Sequence, residues 1–323
     1  MSQRILITGS SGFVGAHLVR RLINQGYVVH GIDVQAPAFS AGDFHFVQCD
    51  ILNATELNRT LSDCQPQAVV HLAARTDLDG KNISDYAANV EGVKNLIKAI
   101  ADTPSVQRCL YTSSQLVCRV GCVPNGEQDY CPNTLYGESK VLTEKIVREH
   151  DSGGVKWCLL RPTTVWGTGM SPHYQRFFKM ICQGRYFHIG HRPLFKSYSY
   201  IGNIVYQYKR FLESPAELIH RKTFYLADYQ PISLRAWVDA FQRELSARPV
   251  PAVPEPLARI IAVAGDVINA LGFKTFPFNS FRLNNILTEY VFDLSATEQV
   301  CGPLPYTMEQ GVQESAAWIR ALD

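Results

Sequence analysis

Arg4-Ile5-Leu6-Ile7-Thr8-Gly9-Ser10-Ser11-Gly12-Phe13-Val14-Gly15 is the stretch whose reading decides the fold. Its first five residues have the short, continuous apolar character of a strand buried on both faces. Glycines 9, 12 and 15 follow, spaced three apart, and then a helical stripe that includes Val14, Leu18, Leu22 and Ile23. Strand, glycine turn and helix in that order begin a βαβ unit. Residues without a Cβ let the backbone approach a pyrophosphate at a helix N-terminus, although purely structural turns use glycine too.

Outward from this stretch the alternation continues. Tyr27–Asp33, Phe44–Asp50, Ala68–Ala74, Arg108–Thr112 and Val155–Pro162 read as strands. Between them lie helices from Asn53, a candidate cap, to about Leu61, from Ser84 to Ala101, and from Leu135 to Glu149. The pattern predicts a doubly wound α/β fold, a Rossmann-type parallel sheet covered on both faces, with a smaller, mixed C-terminal substrate domain. Past Thr163 the regularity decays. A strand over Thr223–Ala227 and a helix over Leu234–Leu245 are followed by Pro249, Pro251, Pro254 and Pro256, a stiff connector. Leu257, Ile260, Ile261, Ala264, Ile268 and Leu271 then share one helical face. That face is expected to pack against the substrate lobe, since a basic amphipathic membrane helix would carry more Lys and Arg. The expected division is a nucleotide domain over 1–165, joined by a late strand and helix from 203–245, and a substrate lobe over 166–202 and 246–323.

Composition narrows the function. The 323 residues are 46% hydrophobic and 19% charged, with 31 Lys+Arg against 29 Asp+Glu, which excludes intrinsic disorder. A net charge of +2 is no electrostatic footprint for nucleic acid. No apolar run approaches the roughly 20 residues that span a bilayer, and no export signal is visible. Nine cysteines form an odd set without framework spacing, as expected of a protein in the reducing cytoplasm.

Two constellations carry chemistry. Asp33 ends the second strand 18 residues beyond Gly15, where a carboxylate accepts ribose hydroxyls and repels a 2′-phosphate. No Lys or Arg follows until Arg59, so NAD is expected over NADP. Tyr136 and Lys140 lie four apart on a helix and hence on one face. A free tyrosine, with a pKa of about 10, is a poor base, but positive charge nearby favours its phenolate. An isolated Y-x-x-x-K occurs on ordinary helices, yet Ser113-Ser114 sits 22 residues upstream of this one at a strand end, where this fold gathers ligands.

These residues resemble the extended short-chain dehydrogenase/reductase superfamily, of the NAD-dependent epimerase/dehydratase type. The likeness is carried by Thr8–Gly15, Asp33, Cys49-Asp50-Ile51, His71-Leu72-Ala73-Ala74, Asn89, Tyr111-Thr112-Ser113-Ser114, Tyr136-x-x-x-Lys140 and Leu160-Arg161-Pro162. It is dense over the first 167 residues and thinner to the C-terminus. It implies that Gly9, Gly12, Phe13, Val14 and Gly15 hold the pyrophosphate region and Asp33 the adenosine ribose. Asp50 and Ile51 would flank the adenine, while Leu72, Ala73, Ala74 and Pro162 line the cofactor groove. Asn89 is either a support near the cofactor or a helix-surface amide. Tyr136 would be the catalytic base, Lys140 the ligand of the nicotinamide ribose and Ser114 their assistant. A homodimer built from the helices near 84–101 and 135–149 is implied as well.

Departures from the family pattern narrow the reaction. Dehydratase relatives carry Asp-Glu after the catalytic hydroxyl; here Gln115 and Leu116 cannot titrate, so dehydration loses its acid and base. Thr164 stands where epimerase relatives often have Asn, and Lys196 where they have Arg, as candidate substrate ligands beside Ser114, Gln115 and Tyr136. Arg282, eleven residues before Asp293, is a candidate for the substrate phosphate or else a surface arginine. Cys118, Cys122 and Cys131 lack a fourth metal ligand, and His188 and His191 have no carboxylate beside them in sequence, so no metal is expected.

The first expectation is therefore a C4 epimerase of an NDP-hexose working through a 4-keto intermediate. The alternatives are a reductase or dehydrogenase of a 4-keto sugar nucleotide or a 3β-hydroxysteroid-like alcohol, and a non-catalytic nucleotide-sensing module.

Overall fold

Ile5, Leu6 and Ile7 of β1 (Arg4–Thr8) are completely buried, as a strand covered on both faces requires. The computed structural model describes every residue except 1, 2, 40, 41, 123, 171, 272–277 and 323. After β1 come α1 (Phe13–Ile23), β2 (Val28–Asp33), β3 (Phe44–Gln48), α2 (Ala54–Cys64), β4 (Ala68–His71), α3 (Ala87–Ala101), β5 (Arg108–Thr112), α4 (Leu135–Glu149) and β6 (Lys156–Pro162). Asn53 caps α2 by accepting from the Glu56 amide at 3.2 Å. Then follow β7 (Thr164–Trp166), α5 (Pro172–Cys182), β8 (His188–Ile189), β9 (Phe195–Lys196), β10 (Tyr198–Tyr200), α6 (Ile201–Glu213), α7 (Ala216–Ile219) and β11 (Lys222–Leu226). The last elements are β12 (Ile232–Ser233), α8 (Leu234–Glu244), β13 (Ala252–Val253), α9 (Glu255–Ala270), α10 (Ser280–Leu287), α11 (Ser295–Cys301) and α12 (Met308–Arg320).

Seven strands make one sheet in the order β3-β2-β1-β4-β5-β6-β11, every neighbouring pair parallel. The order reverses between β1 and β4. In such sheets that switch point, at the carboxyl ends of the strands, is where ligands bind. α2, α3 and α4 pack in a row on the sheet, and α1 packs with α6. Leu6, Val69, Leu96, Cys109, Tyr111, Val147 and Leu159 form part of the resulting core and have no exposed surface.

The chain divides into two compact units. The first comprises Met1–Val165, Ser199–Tyr229 and Asp293–Pro305; the second comprises Trp166–Tyr198, Gln230–Phe292 and Tyr306–Asp323. The expected division therefore changes at three places, and at the first of them residues 199–202 fall with the first unit. α8 joins the second unit, because Trp237 and Phe241 pack on Trp166 and Phe178, with ring centroids 4.3 to 5.8 Å apart. α11 joins the first, because Thr297 donates to the Tyr225 carbonyl on β11 and Tyr206 of α6 to the Cys301 carbonyl.

α6 has no counterpart among the expected elements. Its Ile, Val, Tyr and Phe content is poor in helix propensity, yet Ile201, Ile204, Val205, Tyr208, Phe211 and Leu212 repeat at helical spacing and are all buried. α9 is the other difference. Its buried residues are Ala258, Ala262 and Gly265, while Leu257, Ile260, Val263, Val267 and the following Leu271 are exposed. Of the face expected to pack, Ile261 and Ile268 are half-buried while Leu257, Ile260, Ala264 and Leu271 are exposed, so most of it is left uncovered within the second unit. Phe273, two residues beyond that face, lies outside the described residues.

His71 yields a test of the core. It is 1% exposed on β4, and its Nδ1 lies 2.8 Å from Thr8 Oγ1. Burial, with the Lys140 charge adding to it, lowers its pKa to about 3. The native imidazole stays neutral while the unfolded one takes up a proton below its normal pKa. Stability from this group is complete at neutral pH and is lost on acidification. Between pH 7 and pH 5 the loss is roughly 2 kcal/mol. Denaturant midpoints at the two pH values measure it, and His71→Gln is expected to flatten that part of the slope.

Candidate active site

The turn from β1 to α1 is shaped by absent side chains. Gly9 has φ +72°, and a Cβ there would lie 2.6 Å from the Ala73 nitrogen. A Cβ on Gly15 would lie 2.1 Å from the Gly9 carbonyl oxygen. Backbone is on the other side of both contacts, so neither can yield. The turn is closed from the β4 side by Thr8, whose Oγ1 accepts from the amides of Leu72 and Ala73 at 3.2 and 3.1 Å. The glycine turn and the loop carrying Leu72, Ala73 and Ala74 thereby flank the switch point. Phe13, Val14 and Gly15 begin α1, with Gly12 as its N-cap residue.

Asp33 ends β2 beside this turn. Its Oδ2 accepts from the Ser11 amide at 3.0 Å and its Oδ1 from the Gln35 amide at 3.1 Å, which fixes the carboxylate while leaving lone pairs for hydroxyl donors. Asp50 follows β3 and accepts from the Leu52 amide, and the neighbouring Ile51 is buried where Gly92 of α3 leaves it room. The Gly9–Gly15 cradle, with a fixed acid at the next strand end, fits a dinucleotide's pyrophosphate and adenosine ribose. Pro162 closes β6.

The reactive side chains come from β5 and α4. Ser114 follows β5, and its Oγ accepts from the Leu116 amide at 3.1 Å, so its own proton is available to donate. α4 starts at a Thr134 cap, and Tyr136 is in its first turn. Gly137 brings that turn close: a Cβ there would be 2.3 Å from the Leu116 carbonyl oxygen. Gly137 is thus what lets the Ser114 turn and α4 meet. Tyr136 is 8% exposed, with its ring centroid 6.3 Å from that of Tyr86.

Lys140 lies one turn further, 3% exposed, and its Nζ donates to the Thr112 carbonyl at 2.9 Å. Burial lowers its pKa to about 8, opposed by Glu144. Asn89 is no surface amide. It donates to the Arg75 carbonyl and to Ser139 Oγ, and it accepts from the Arg75 amide, all within 2.9 Å. Ser139 in turn donates to the Tyr136 carbonyl at 2.7 Å. This chain of bonds ties the groove loop after β4 to the catalytic helix.

Below these residues lies an ion pair that sequence reading left without a role. Glu144 and Arg161 are 0% and 1% exposed and joined by two bonds of 2.7 Å. Ser113 donates to Glu144 at 2.6 Å and Tyr130 at 2.9 Å. Burial works against the charge on Arg161, but the hydrogen bonds and attraction of Glu144 outweigh it and raise its pKa further. Of the two serines, Ser113 is structural and Ser114 is available for chemistry.

A family model described as the NAD dependent epimerase/dehydratase family matches residues 5–192. The chain belongs to that family. A 3-beta-hydroxysteroid dehydrogenase of Mycolicibacterium neoaurum is 29% identical over 248 residues, covering 72% of this chain and 67% of that protein. The N-acetyl-alpha-D-glucosaminyl-diphospho-ditrans,octacis-undecaprenol 4-epimerase of Escherichia coli O157:H7 is 24% identical over 321 residues, covering 98% and 95%. In fold, the chain matches the UDP-glucuronic acid 4-epimerase of Bacillus cereus, solved with NAD, with a TM-score of 0.77, 19% identity and 99% of both chains covered. The protein is thus an NAD-dependent epimerase or oxidoreductase of the extended short-chain dehydrogenase type.

The remaining expected residues of this family member fall differently. Thr164 is in the first unit, just past β6, whereas Lys196 and Arg282 belong to the second. Lys196 is buried, with Nζ donating to the carbonyls of Asn285 and Thr288 at 2.7 Å and lying 4.8 Å from the Tyr290 ring centroid. Two of its three N–H donors are thereby taken up within the second unit. Arg282 is exposed on α10. Gln115 Oε1 is buried with no hydrogen-bond partner among the described residues, an acceptor beside Ser114. The fold supplies the carboxylate that His188 lacks in sequence, since its Nε2 lies 2.8 Å from Asp239. Cys122 hydrogen-bonds Cys131, and no group of three His, Cys, Asp or Glu among the described residues could hold a metal.

Two substitutions test this arrangement. Gly15→Ala is expected to abolish NAD binding measured by calorimetry, because its Cβ would displace the Gly9 carbonyl. Glu144→Ala strands a buried guanidinium and is expected to cost about 3–5 kcal/mol in denaturant unfolding.

Proposed function

We propose that the protein epimerises C4 of a hexose carried on a diphosphate, with a sugar nucleotide as the first substrate class to try. The observation that carries the reading is the pairing of a complete Ser114–Tyr136–Lys140 set with Gln115 and Leu116. Proton exchange at a single hydroxyl is provided for, and a second acid and base for elimination are not. One relative that matches nearly the whole chain is named as a 4-epimerase of a diphosphate-linked sugar, which supports the same choice, while others of like coverage are named as sterol dehydrogenases.

In this reading Tyr136 takes the proton of the substrate hydroxyl. Lys140, its charge held in a dry site, favours the phenolate that does so. Ser114 donates to the substrate oxygen and holds it against Tyr136, and the same tyrosine returns the proton when the keto intermediate has turned over. NAD, when bound, supplies the redox half by accepting and returning hydride. Asp33, through its bonds to the Ser11 and Gln35 amides, keeps the ribose end in place. We further propose that the protein works as a homodimer, with α3 and α4 as the pairing helices.

A second reading has its own support. The steroid dehydrogenase likeness points to net oxidation of an apolar secondary alcohol, and two of the three Lys196 donors are already taken up by carbonyls.

NMR of UDP-, GDP- and dTDP-hexoses incubated with the purified protein and no added cofactor distinguishes the two. A C4 epimer is expected, with Tyr136→Phe lowering turnover at least 100-fold, roughly the scale of general base catalysis, while NAD stays bound. Unchanged sugars, together with oxidation of a 3β-hydroxysteroid when NAD is added, would replace the epimerase with the dehydrogenase.

A further inference from the structure

α9 is built inside out for a helix of a water-exposed protein. Small residues, Ala258, Ala262 and Gly265, face inward, where the first two pack with Ile189 and Leu283 in a minor core. The large ones face out: Leu257 is 48% exposed, Ile260 67%, Val263 57%, Val267 54% and Leu271 73%. At 100° per residue these five, with Ala264, fall within an arc of about 120°. The charged residues Glu255, Arg259 and Asp266 lie outside that arc, and the first two bond each other.

The outward stripe amounts to an apolar surface on the order of 500 Å², near the largest patch a typical monomer exposes. A stable dimer buries about 800 Å² on each partner, so a second copy seated here alone would fall short. Charge points to another occupant. The second unit carries twelve Lys and Arg against eight Asp and Glu, and its segment 166–198 has no acidic residue and five basic ones, of which Lys196 is buried and Arg192 paired with Glu289. That segment joins α9 through the pairing of β8 with β13 and the packing of Ile189. Arg185, Arg248 and Arg282, on or beside the same elements, are exposed. The first unit has the opposite balance, nineteen against twenty-one.

We propose that α9 seats this protein on the surface of an anionic bilayer. Its large apolar side chains enter the headgroup region, and the arginines of the second unit meet lipid phosphates. Sixteen residues make a helix about 24 Å long, too short to span, so α9 lies in the plane of the surface. No helix among the described residues is long and apolar enough to cross. An apolar stripe and a basic flank together supply the two attractions that interfacial binding uses.

The test is flotation of the full chain with vesicles of phosphatidylcholine alone and of phosphatidylcholine mixed with phosphatidylglycerol, alongside light scattering for mass. Binding is read without turnover, so it stands or falls apart from the reaction proposed above. The protein is expected to float with the mixed vesicles, less so with the neutral ones or in high salt. The double substitution I260E/V267E, on exposed positions, is expected to weaken partitioning by about tenfold or more with unchanged melting temperature. A wild type that floats with neither vesicle, or a variant that floats as well as wild type, overturns the proposal. A vesicle-indifferent dimer that the double substitution converts to monomer also overturns it and assigns the face to a second copy.

Discussion

The bidentate pair of Glu144 and Arg161 is the constraint on which the site depends. Two charges without exposed surface are tolerable only when each is fully hydrogen-bonded, and here each polar neighbour comes from a different element. Ser113 reaches Glu144 from the end of β5, Tyr130 from the loop before α4, and Tyr225 meets Arg161 from β11. Glu144 sits one turn beyond Lys140 and two beyond Tyr136 on α4, so satisfying it fixes the rotation of the helix that bears the reactive groups. Ser113 is adjacent to Ser114, so the same bond fixes where β5 delivers its hydroxyl. The pair contributes little net stability by such bookkeeping; what it supplies is geometry.

Close backbone approach is the second device, and it acts at both halves of the site. Gly15 and Gly9 let the phosphate turn fold on itself, and Gly137 lets the catalytic helix reach the Leu116 carbonyl. In each case the missing Cβ brings together elements that a side chain would hold apart. Asn89 and Thr8 then pin the loop after β4 to α4 and to the glycine turn respectively. The cofactor groove and the reactive helix are thereby one hydrogen-bonded structure within the first unit.

What could be read beforehand follows from how local each signal is. β1, β5 and α4 were legible to the residue, since a buried strand and a capped helix announce themselves in a few positions. That Tyr136 and Lys140 share one face of α4 was legible because their spacing is itself a statement about helix faces. The role of Arg161 was not, since its partner is seventeen residues away and only packing makes them neighbours. The bonds of Lys196 to the carbonyls of Asn285 and Thr288 could not be read for the same reason. α6 was missed although Ile201, Ile204, Val205, Tyr208, Phe211 and Leu212 repeat at helical spacing.

α9 shows the limit of reading an apolar face as a core face. Periodicity says which residues share a side, but not whether that side is covered. The information lay in the other face: Ala258, Ala262 and Gly265 recur at the spacing of a close helix contact. A helix has one inward face, and small residues on it leave the large ones for the outside.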